Sequence, residues 1–477
     1  MRPLDWAVMV VTLLTVIFYV LWCSLCSNTP DKYLRAGRTM PWYAMALSIM
    51  ATQASAVTFI STTGQGYVDG MRFVQYYFGL PIAMVIICVT AVPVFHRANV
   101  YTAYEWLERR FDSKTRTLVS IIFLIQRGLG AGLALAAPAI VLSVILGSPD
   151  QYTSIFIGIT VVIYTVMGGV QAVTWTDFQL MITMMVGLVA ALITAVYMMP
   201  PDIGFSGALM IAGAAGKLNP VTTNFSWTDR YNLWSGLIGS TFLMLAYFGT
   251  DQSQVQRYLT GKSIGQSRLG LLLNAMAKVP VQFFILFIGA IVFVFFIFER
   301  PPLLFQPVEM KRLEQSAEYP ALQARYQQAL DERQVGARKV KDGGSGDDFR
   351  AAQQKVNVVR SEAAKLSKDS DTNYIFLSFV TRYLPRGLVG LILGVILTAT
   401  MSASSGEINS LATVSMIDVY RRHFHKDASD RHYLLASRVA TVFWGIYAVT
   451  FANFAQRLGS LIEAVNQVGS LFYGSML

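Results

Sequence analysis

The chain carries the stretch Thr398-Ala-Thr-Met-Ser-Ala-Ser-Ser-Gly-Glu-Ile-Asn409 directly after an apolar segment, Gly387 to Leu397. On a helix its polar members share one face, because they are spaced three or four residues apart: Thr398, Ser402, Ser405 and Asn409. Hydroxyl and carbonyl oxygens suit a hard cation, so this face is a candidate ion path through a membrane. The alternative is packing, because small and hydroxyl residues also join membrane helices and bond to their own carbonyls.

The composition is that of a membrane protein. Of 477 residues, 54% are hydrophobic and only 14% are charged, which is too few charges for the surface of a soluble domain. Apolar stretches give about eleven candidate spans, beginning near Trp6, Trp42, Val74, Leu118, Thr153, Phe178, Leu233, Leu271, Tyr374, Leu434 and Leu458. The last stretch stops at Leu477 without a polar flank, which predicts a chain cut short within its last core helix.

The net charge of +10 does not indicate a nucleic-acid partner, because the basic residues collect in alternate short loops. This positive-inside pattern assigns those loops to the cytoplasm and the N-terminus to the outside of a cell membrane. The cytoplasmic set includes Arg35, Arg109, Arg116, Arg257, Arg268 and Arg421. The four histidines show neither zinc-ligand spacing nor a nucleophile motif, so the chain is not predicted to be an enzyme.

Two polar stretches interrupt apolar spans at matching places. One is Ala51 to Gly64 in the second span, and the other is Tyr247 to Gln254 at the end of the seventh. Transporters built from inverted repeats often bind their cargo where such paired helices are broken. The offset of five spans predicts a five-plus-five repeat after one extra helix. Separately, the polar segment 299–371 predicts two helical arms around a turn at Asp342 to Asp348, placed outside.

Three motifs resemble the signatures of the sodium/solute symporter family: Gly168-Gly-Val-Gln-Ala-Val-Thr-Trp-Thr-Asp-Phe-Gln179, Gly249-Thr-Asp-Gln-Ser-Gln-Val-Gln-Arg-Tyr258, and Met401 to Asp418. The resemblance implies an all-α polytopic membrane protein with a LeuT-type five-plus-five inverted repeat and one extra N-terminal helix. The implied units are the extra helix 1–26, a first repeat 40–200, an extracellular loop 201–231, and an incomplete second repeat 232–477 that contains the 299–371 insertion.

The resemblance also implies sodium ligands. The principal site would take carbonyl oxygens from Ala51, Ala54 and Ala399 and the hydroxyl of Ser402, while Ala403 stands where the family often has a second serine. A second sodium would lie between Asp177 and Ser405, although Gly406 stands where another serine can occur. One coupled sodium is therefore implied and a second stays open. From the residues alone, Asp177 is equally well an interfacial carboxylate that caps its helix.

The implied cargo site is a central cavity. By resemblance, Gln53, Ser55 and Thr58 face it together with Tyr77. Arg127 lies in the helix where sialic acid carriers place an arginine for the substrate carboxylate, and its alternative is a snorkelling or paired arginine. The sequence leaves three alternatives for Asp251: it binds a cationic amine, takes up a proton, or neutralises Arg127. If it neutralises Arg127, the cargo is neutral.

The predicted function is a sodium-coupled symporter that imports a small polar solute, with an anion as one option. Its partners are that small-molecule solute, sodium ion and the lipid bilayer. The alternative is a symporter-like membrane sensor that binds solute without net transport. An ion channel is disfavoured, because no pore loop or filter sequence is present.

Overall fold

The computed structural model describes residues 2–25, 39–53, 58–100, 102–147, 150–167, 170–366, 371–425, 428–455 and 461–476. Its regular structure is helical, apart from one isolated bridge between Met40 and Gly261. Within these ranges, six helical stretches are long and apolar enough to cross a membrane, and four further apolar helices are shorter. The prediction of an all-helical membrane protein with several spans is therefore confirmed.

The first half of the chain holds the helices α1 Pro3–Leu25, α2 Trp42–Gln53, α3 Thr63–Asp69, α4 Leu80–Val89, α5 Ala91–Ala98, α6 Ala103–Arg110, α7 Ser113–Leu146, α8 Asp150–Met167, α9 Val170–Tyr197 and α10 Gly204–Ala214. The second half holds α11 Ser240–Gly249, α12 Gln252–Tyr258, α13 Ile264–Phe298, α14 Pro307–Glu314, α15 Tyr319–Lys341, α16 Asp347–Leu366, α17 Ile375–Tyr383, α18 Leu388–Val414, α19 Arg421–His423, α20 Asp430–Ala455 and α21 Leu461–Met476.

Helix α18 carries the hydroxyl-rich stretch and is buried along almost its whole length. It contacts α1, α7, α9 and α20. The contact with α1 is close, since a Cβ atom at Gly390 would lie 2.0 Å from the Asp5 carbonyl oxygen. The Asp5 carboxylate also accepts a hydrogen bond from the Gly387 amide at 2.7 Å. The first helix therefore packs directly on α18 and fixes its start.

Two glycines bring α3 against α13. A Cβ atom at Gly66 would lie 2.4 Å from the Leu286 carbonyl oxygen, and one at Gly289 would lie 2.2 Å from the Thr63 carbonyl oxygen. Small residues allow such close backbone approach between membrane helices, where dispersion contacts supply much of the association energy. This contact positions the segment that follows the first polar stretch.

We expect Gly289→Ala to destabilise the protein by about 1–3 kcal/mol, because the added methyl group meets backbone rather than a movable side chain. Gly213→Ala is the matched control, since no atom lies within 4 Å of a Cβ at that position. The measurement is the thermal unfolding midpoint in detergent. Equal midpoints for the two variants would contradict the close-packing argument.

The helix break predicted within Tyr247 to Gln254 is present. Helix α11 ends at Gly249, and Asp251 has extended backbone angles (φ −75°, ψ 114°) before α12 begins at Gln252. The Asp251 side chain caps α12 by accepting a hydrogen bond from the Ser253 amide at 2.9 Å. At the matching place in the first half, residues 54–57 lie outside the described ranges, and the Thr58 hydroxyl donates to the Gln53 carbonyl at 2.7 Å.

The polar segment 299–371 forms a small helical unit, in which α15 packs on α16 around an apolar cluster of its own. Arg333 anchors this unit to α13 by donating to the Phe296 carbonyl at 2.7 Å. Asp371 joins the two ends of the unit to each other, because it accepts the Phe305 amide at 2.6 Å and pairs with Arg360 at 2.5 Å. The hairpin is therefore fixed to the end of a membrane helix rather than tethered by loops alone.

Lys217 joins the segment after α10 to the end of α3. Its carbonyl accepts the Met71 amide at 2.9 Å, and its ammonium lies 4.9 Å from the centre of the Phe293 ring. Burial lowers the pKa of the Lys217 ammonium from its ordinary value of 10.5 to about 8.

We expect this lysine to make stability rise with pH. Between its folded pKa of about 8 and its unfolded pKa of 10.5, the unfolded chain binds the extra proton, so deprotonation favours the folded state. In Lys217→Met this contribution is absent. The thermal midpoint of the wild type should therefore rise relative to the variant as pH is raised through that window. Parallel pH profiles would contradict the assignment.

Candidate solute and ion site

Asp177 joins four helices inside the membrane domain. It lies near the start of α9 and is only 3% exposed. Its carboxylate accepts hydrogen bonds from Ser48 of α2 at 2.8 Å and from Ser402 of α18 at 2.9 Å. It also forms an ion pair with Arg257 of α12 at 2.8 Å. A buried carboxylate is costly unless its charge is compensated and its oxygens are hydrogen-bonded, and both conditions are met.

The arrangement differs from the expectation that Asp177 and Ser405 together hold a sodium ion. The serine that bonds Asp177 is Ser402, and the cation beside the carboxylate is the guanidinium of Arg257. Gly406 makes room for it, because a Cβ atom there would lie 2.9 Å from Arg257 Nη2. Gly406, which stands where the family can have a serine, therefore leaves room for the side chain of Arg257.

Two arginines of the loops assigned to the cytoplasm are buried in the structure. Arg257 is 6% exposed and Arg116 is 7% exposed. Arg257 pairs with Asp177, and Arg116 pairs with Asp418 at 2.5 Å and with Glu108 at 2.6 Å. A count of basic residues cannot distinguish a solvated charge from one neutralised by a distant acid, so these two carry no information on topology.

The principal sodium ligands implied by resemblance lie on helices that contact each other. Ala51 is in the last turn of α2, and Ala399 and Ser402 are buried on α18, which α2 touches. Carbonyl oxygens in a last helical turn are available to partners outside the helix. Ala54 and Ser55 lie outside the described residues. In contrast to Ser402, Thr398 and Thr400 bond carbonyls of their own helix, as the packing alternative proposed.

A cavity of about 120 Å³ lies beside this cluster. Four of the predicted cargo residues line it, namely Gln53, Thr58, Tyr77 and Arg127. Asp251 is not in the lining but contacts Arg127. A second cavity of about 530 Å³ adjoins the first, because Tyr76, Leu243, Asn466 and Tyr473 line both. The small cavity is below the roughly 300 Å³ typical of ligand pockets, so it suits a small solute.

Arg127 is buried and already paired. It forms ion pairs with Asp251 and, at 3.1 Å, with Glu407, and it donates to the Ser253 hydroxyl at 2.7 Å. Asp251 also accepts the Tyr473 hydroxyl at 3.1 Å. Of the alternatives left open by the sequence, the structure favours a buried arginine neutralised by Asp251, and a guanidinium held in this way is not free for a cargo carboxylate.

Three charged residues of this region were missed by the sequence argument. Glu407 lies inside the quoted hydroxyl stretch, and Arg257 lies inside a quoted motif, but neither was given a role. Lys278 was not considered. It is fully buried on α13, its ammonium lies 5.4 Å from the Tyr77 ring centre, and its Nζ has no hydrogen-bond acceptor among the described residues. The sequence signal that could have identified Lys278 is a single lysine within an apolar span, because charged residues inside a membrane usually mark a functional site.

The sequence profile of the Sodium:solute symporter family matches residues 33–305 and 351–476. The chain belongs to this family. It is a family of transporters, in agreement with the prediction that the chain is not an enzyme. The two matched ranges leave out residues 306–350, which contain α14 and α15 of the helical unit.

Relatives in this family carry different cargoes. Human sodium-coupled monocarboxylate transporter 1 is 27% identical over 94% of this chain and 63% of its own length. The sodium/glucose cotransporter of Vibrio parahaemolyticus is 24% identical over 93% of this chain and 73% of its own length. The chain thus spans less than two thirds of the monocarboxylate transporter.

A solved structure of a Na⁺-coupled sialic acid symporter, substrate-bound and outward-open, has the same fold. It matches 100% of this chain and 86% of its own, with a TM-score of 0.75 at 23% identity. The fold is therefore that of the sialic acid symporter, while the cargoes named for these three proteins differ from one another.

Proposed function

We propose that this protein is a sodium-coupled symporter that imports a small polar solute by alternating access. The observation that carries the proposal is the family match over two ranges that together contain α2, α9, α12 and α18. The geometry supports it, since these helices meet at Asp177, and two of them, α2 and α18, also line a solute-sized cavity.

In this proposal one sodium ion binds to carbonyl oxygens of Ala51, Ala54 and Ala399 and to the hydroxyl of Ser402. A single ion is favoured because Arg257 already compensates the charge of Asp177. The solute occupies the cavity lined by Gln53, Thr58 and Tyr77, and Ser55 is a further solute contact implied by resemblance alone. Arg127 and Asp251 set the charge of that cavity and are not themselves a free anion site.

The proposed architecture is the five-plus-five inverted repeat, 40–200 and 232–477, preceded by the helix 1–26 with its N-terminus outside. The break at Thr250 and Asp251 supports it, because a discontinuous helix is expected in each repeat of such a transporter. The loop 201–231 and the 299–371 insertion then lie on the outer side.

The test is uptake into proteoliposomes of a panel of labelled small solutes, including amines, carboxylates, amides and sugars. Accumulation should require an inward sodium gradient and should collapse when potassium replaces sodium outside. Solute binding in detergent without accumulation in any gradient would favour the sensor alternative. Accumulation that is equally strong without sodium would refute the coupling.

A further inference from the structure

The small cavity is walled by aromatic rings. Four tyrosines line it, with ring centres 5.4 Å apart for Tyr76 and Tyr77 and 5.8 Å apart for Tyr247 and Tyr473. The faces of such rings attract cations, and they do so more strongly when water is excluded. Tyr247 already holds one cation in this way, because the Arg127 guanidinium lies 5.5 Å from its ring centre.

One carboxylate of the lining has an unpaired oxygen. Glu407 lines the cavity and pairs with Arg127 through Oε1, while its Oε2 has no hydrogen-bond donor among the described residues. Asp251, which also pairs with Arg127, and Lys278, which lies against Tyr77, are both outside the lining. These two acids and two bases carry no net charge together, so the feature that distinguishes the wall is the free carboxylate oxygen of Glu407, in a place where an unpaired charged group is costly.

Most of the unsatisfied polar atoms of the lining are hydrogen-bond acceptors. Among the described residues, three buried acceptor oxygens lack a hydrogen-bond donor: Glu407 Oε2, Gln126 Oε1 and Gln53 Oε1. One buried donor, Arg127 Nε, lacks an acceptor. Gln126 is only 3% exposed, so bulk water does not satisfy it. Buried polar groups that lack partners in the protein are expected to be satisfied by what fills the cavity.

We infer that the cavity takes a small organic cation, an amine or amidine whose N–H groups donate to Glu407, Gln126 and Gln53 while its charge rests against the tyrosine rings. This inference rests on the proposed function for the statement that the ligand is also the transported solute. It replaces the option of an anionic cargo, because the two terminal guanidinium nitrogens of Arg127 already donate to Glu407, Asp251 and Ser253, and only Nε is without an acceptor.

The test compares three planar solutes with the same number of non-hydrogen atoms but different charge: propionamidinium, propionamide and propionate. Their binding to the purified protein in sodium buffer is measured by calorimetry and by shifts in thermal midpoint. We expect propionamidinium to bind at least about 10-fold more tightly than propionate, a difference of about 1.4 kcal/mol. Preference for propionate, equal binding of all three, or binding of none would overturn the inference.

Glu407→Gln should weaken propionamidinium binding about 10-fold, because the carboxylate that accepts its N–H groups is removed, and should weaken propionamide binding less, because no attraction between opposite charges is lost. Glu362→Gln is the matched control, since it removes one carboxylate from the exposed surface of α16. Unchanged cation selectivity in Glu407→Gln would overturn the assignment even if the variant is folded and binds all three solutes.

Different results would contradict the proposal of sodium-coupled symport and the inference of a cation site. Sodium-driven uptake of propionate in place of the cation would remove the cation inference and leave symport intact. Glu407-dependent binding of the cation without sodium-driven uptake would remove symport and leave the cation site intact.

Discussion

Replacing Arg257 with methionine will destabilise the protein by about 3–5 kcal/mol, the usual cost of leaving a buried charge without its partner. The Asp177 carboxylate is 3% exposed and would keep only the hydroxyls of Ser48 and Ser402. The double variant Asp177→Asn/Arg257→Met should recover most of the loss, because no uncompensated charge remains. The measurement is a double-mutant cycle on thermal midpoints in detergent.

Sodium provides a second readout for the same variant. Without the guanidinium, the Asp177 carboxylate needs a cation from solution. Sodium should therefore raise the thermal midpoint of Arg257→Met more than that of the wild type. Potassium should raise the midpoint of the variant less than sodium does. Additive effects in the cycle, together with identical sodium responses, would show that Arg257 is not the compensating cation.

Ser402→Ala will raise the sodium concentration needed for half-maximal uptake about 10-fold or more, because a hydrogen bond or ligand contact to a charged group contributes about 1.5–3 kcal/mol. The hydroxyl is fully buried and lies at the proposed ion site. The thermal midpoint should fall as well, since the Asp177 carboxylate loses one donor.

Thr400→Val is the control for this change. Thr400 is on the same helix and equally buried, but its hydroxyl bonds only the Ile396 carbonyl of its own helix at 2.9 Å. The control should keep wild-type sodium dependence. The assignment of Ser402 fails if both variants shift the sodium requirement alike, or if neither shifts it.

The sequence allowed the membrane class, the family and the second helix break to be predicted, because each depends on local composition or on ordered motifs. Hydrophobic length indicates a span, and Gly249 followed by Thr250 and Asp251 weakens a helix wherever it occurs. The hydroxyl stretch shows features of both alternatives that the sequence left open, since Thr398 bonds its own helix and Ser402 reaches another.

The partners of the charged residues could not be predicted, because pairing depends on which helices meet. Arg257 and Asp177 are 80 residues apart, and Arg127 and Glu407 are 280 apart. From the sequence, Asp177 and Arg127 each had alternative roles, whereas Arg257 and Glu407 had no role in the site. In the structure Arg257 pairs with Asp177, which changes the number of sodium ions that we expect. Arg127 pairs with Asp251 and Glu407, which changes the charge that we expect for the solute.

The helical unit on α13 also offers an experimental handle. Because Arg333 bonds α15 to the Phe296 carbonyl of α13, the turn at Asp342 to Asp348 belongs to a unit that is attached to a membrane helix. A fluorophore on exposed Ser345, paired with one on exposed Trp227, would translate displacements of α13 into changes in energy transfer. Conformational cycling could then be followed in single molecules, with no label in the permeation route.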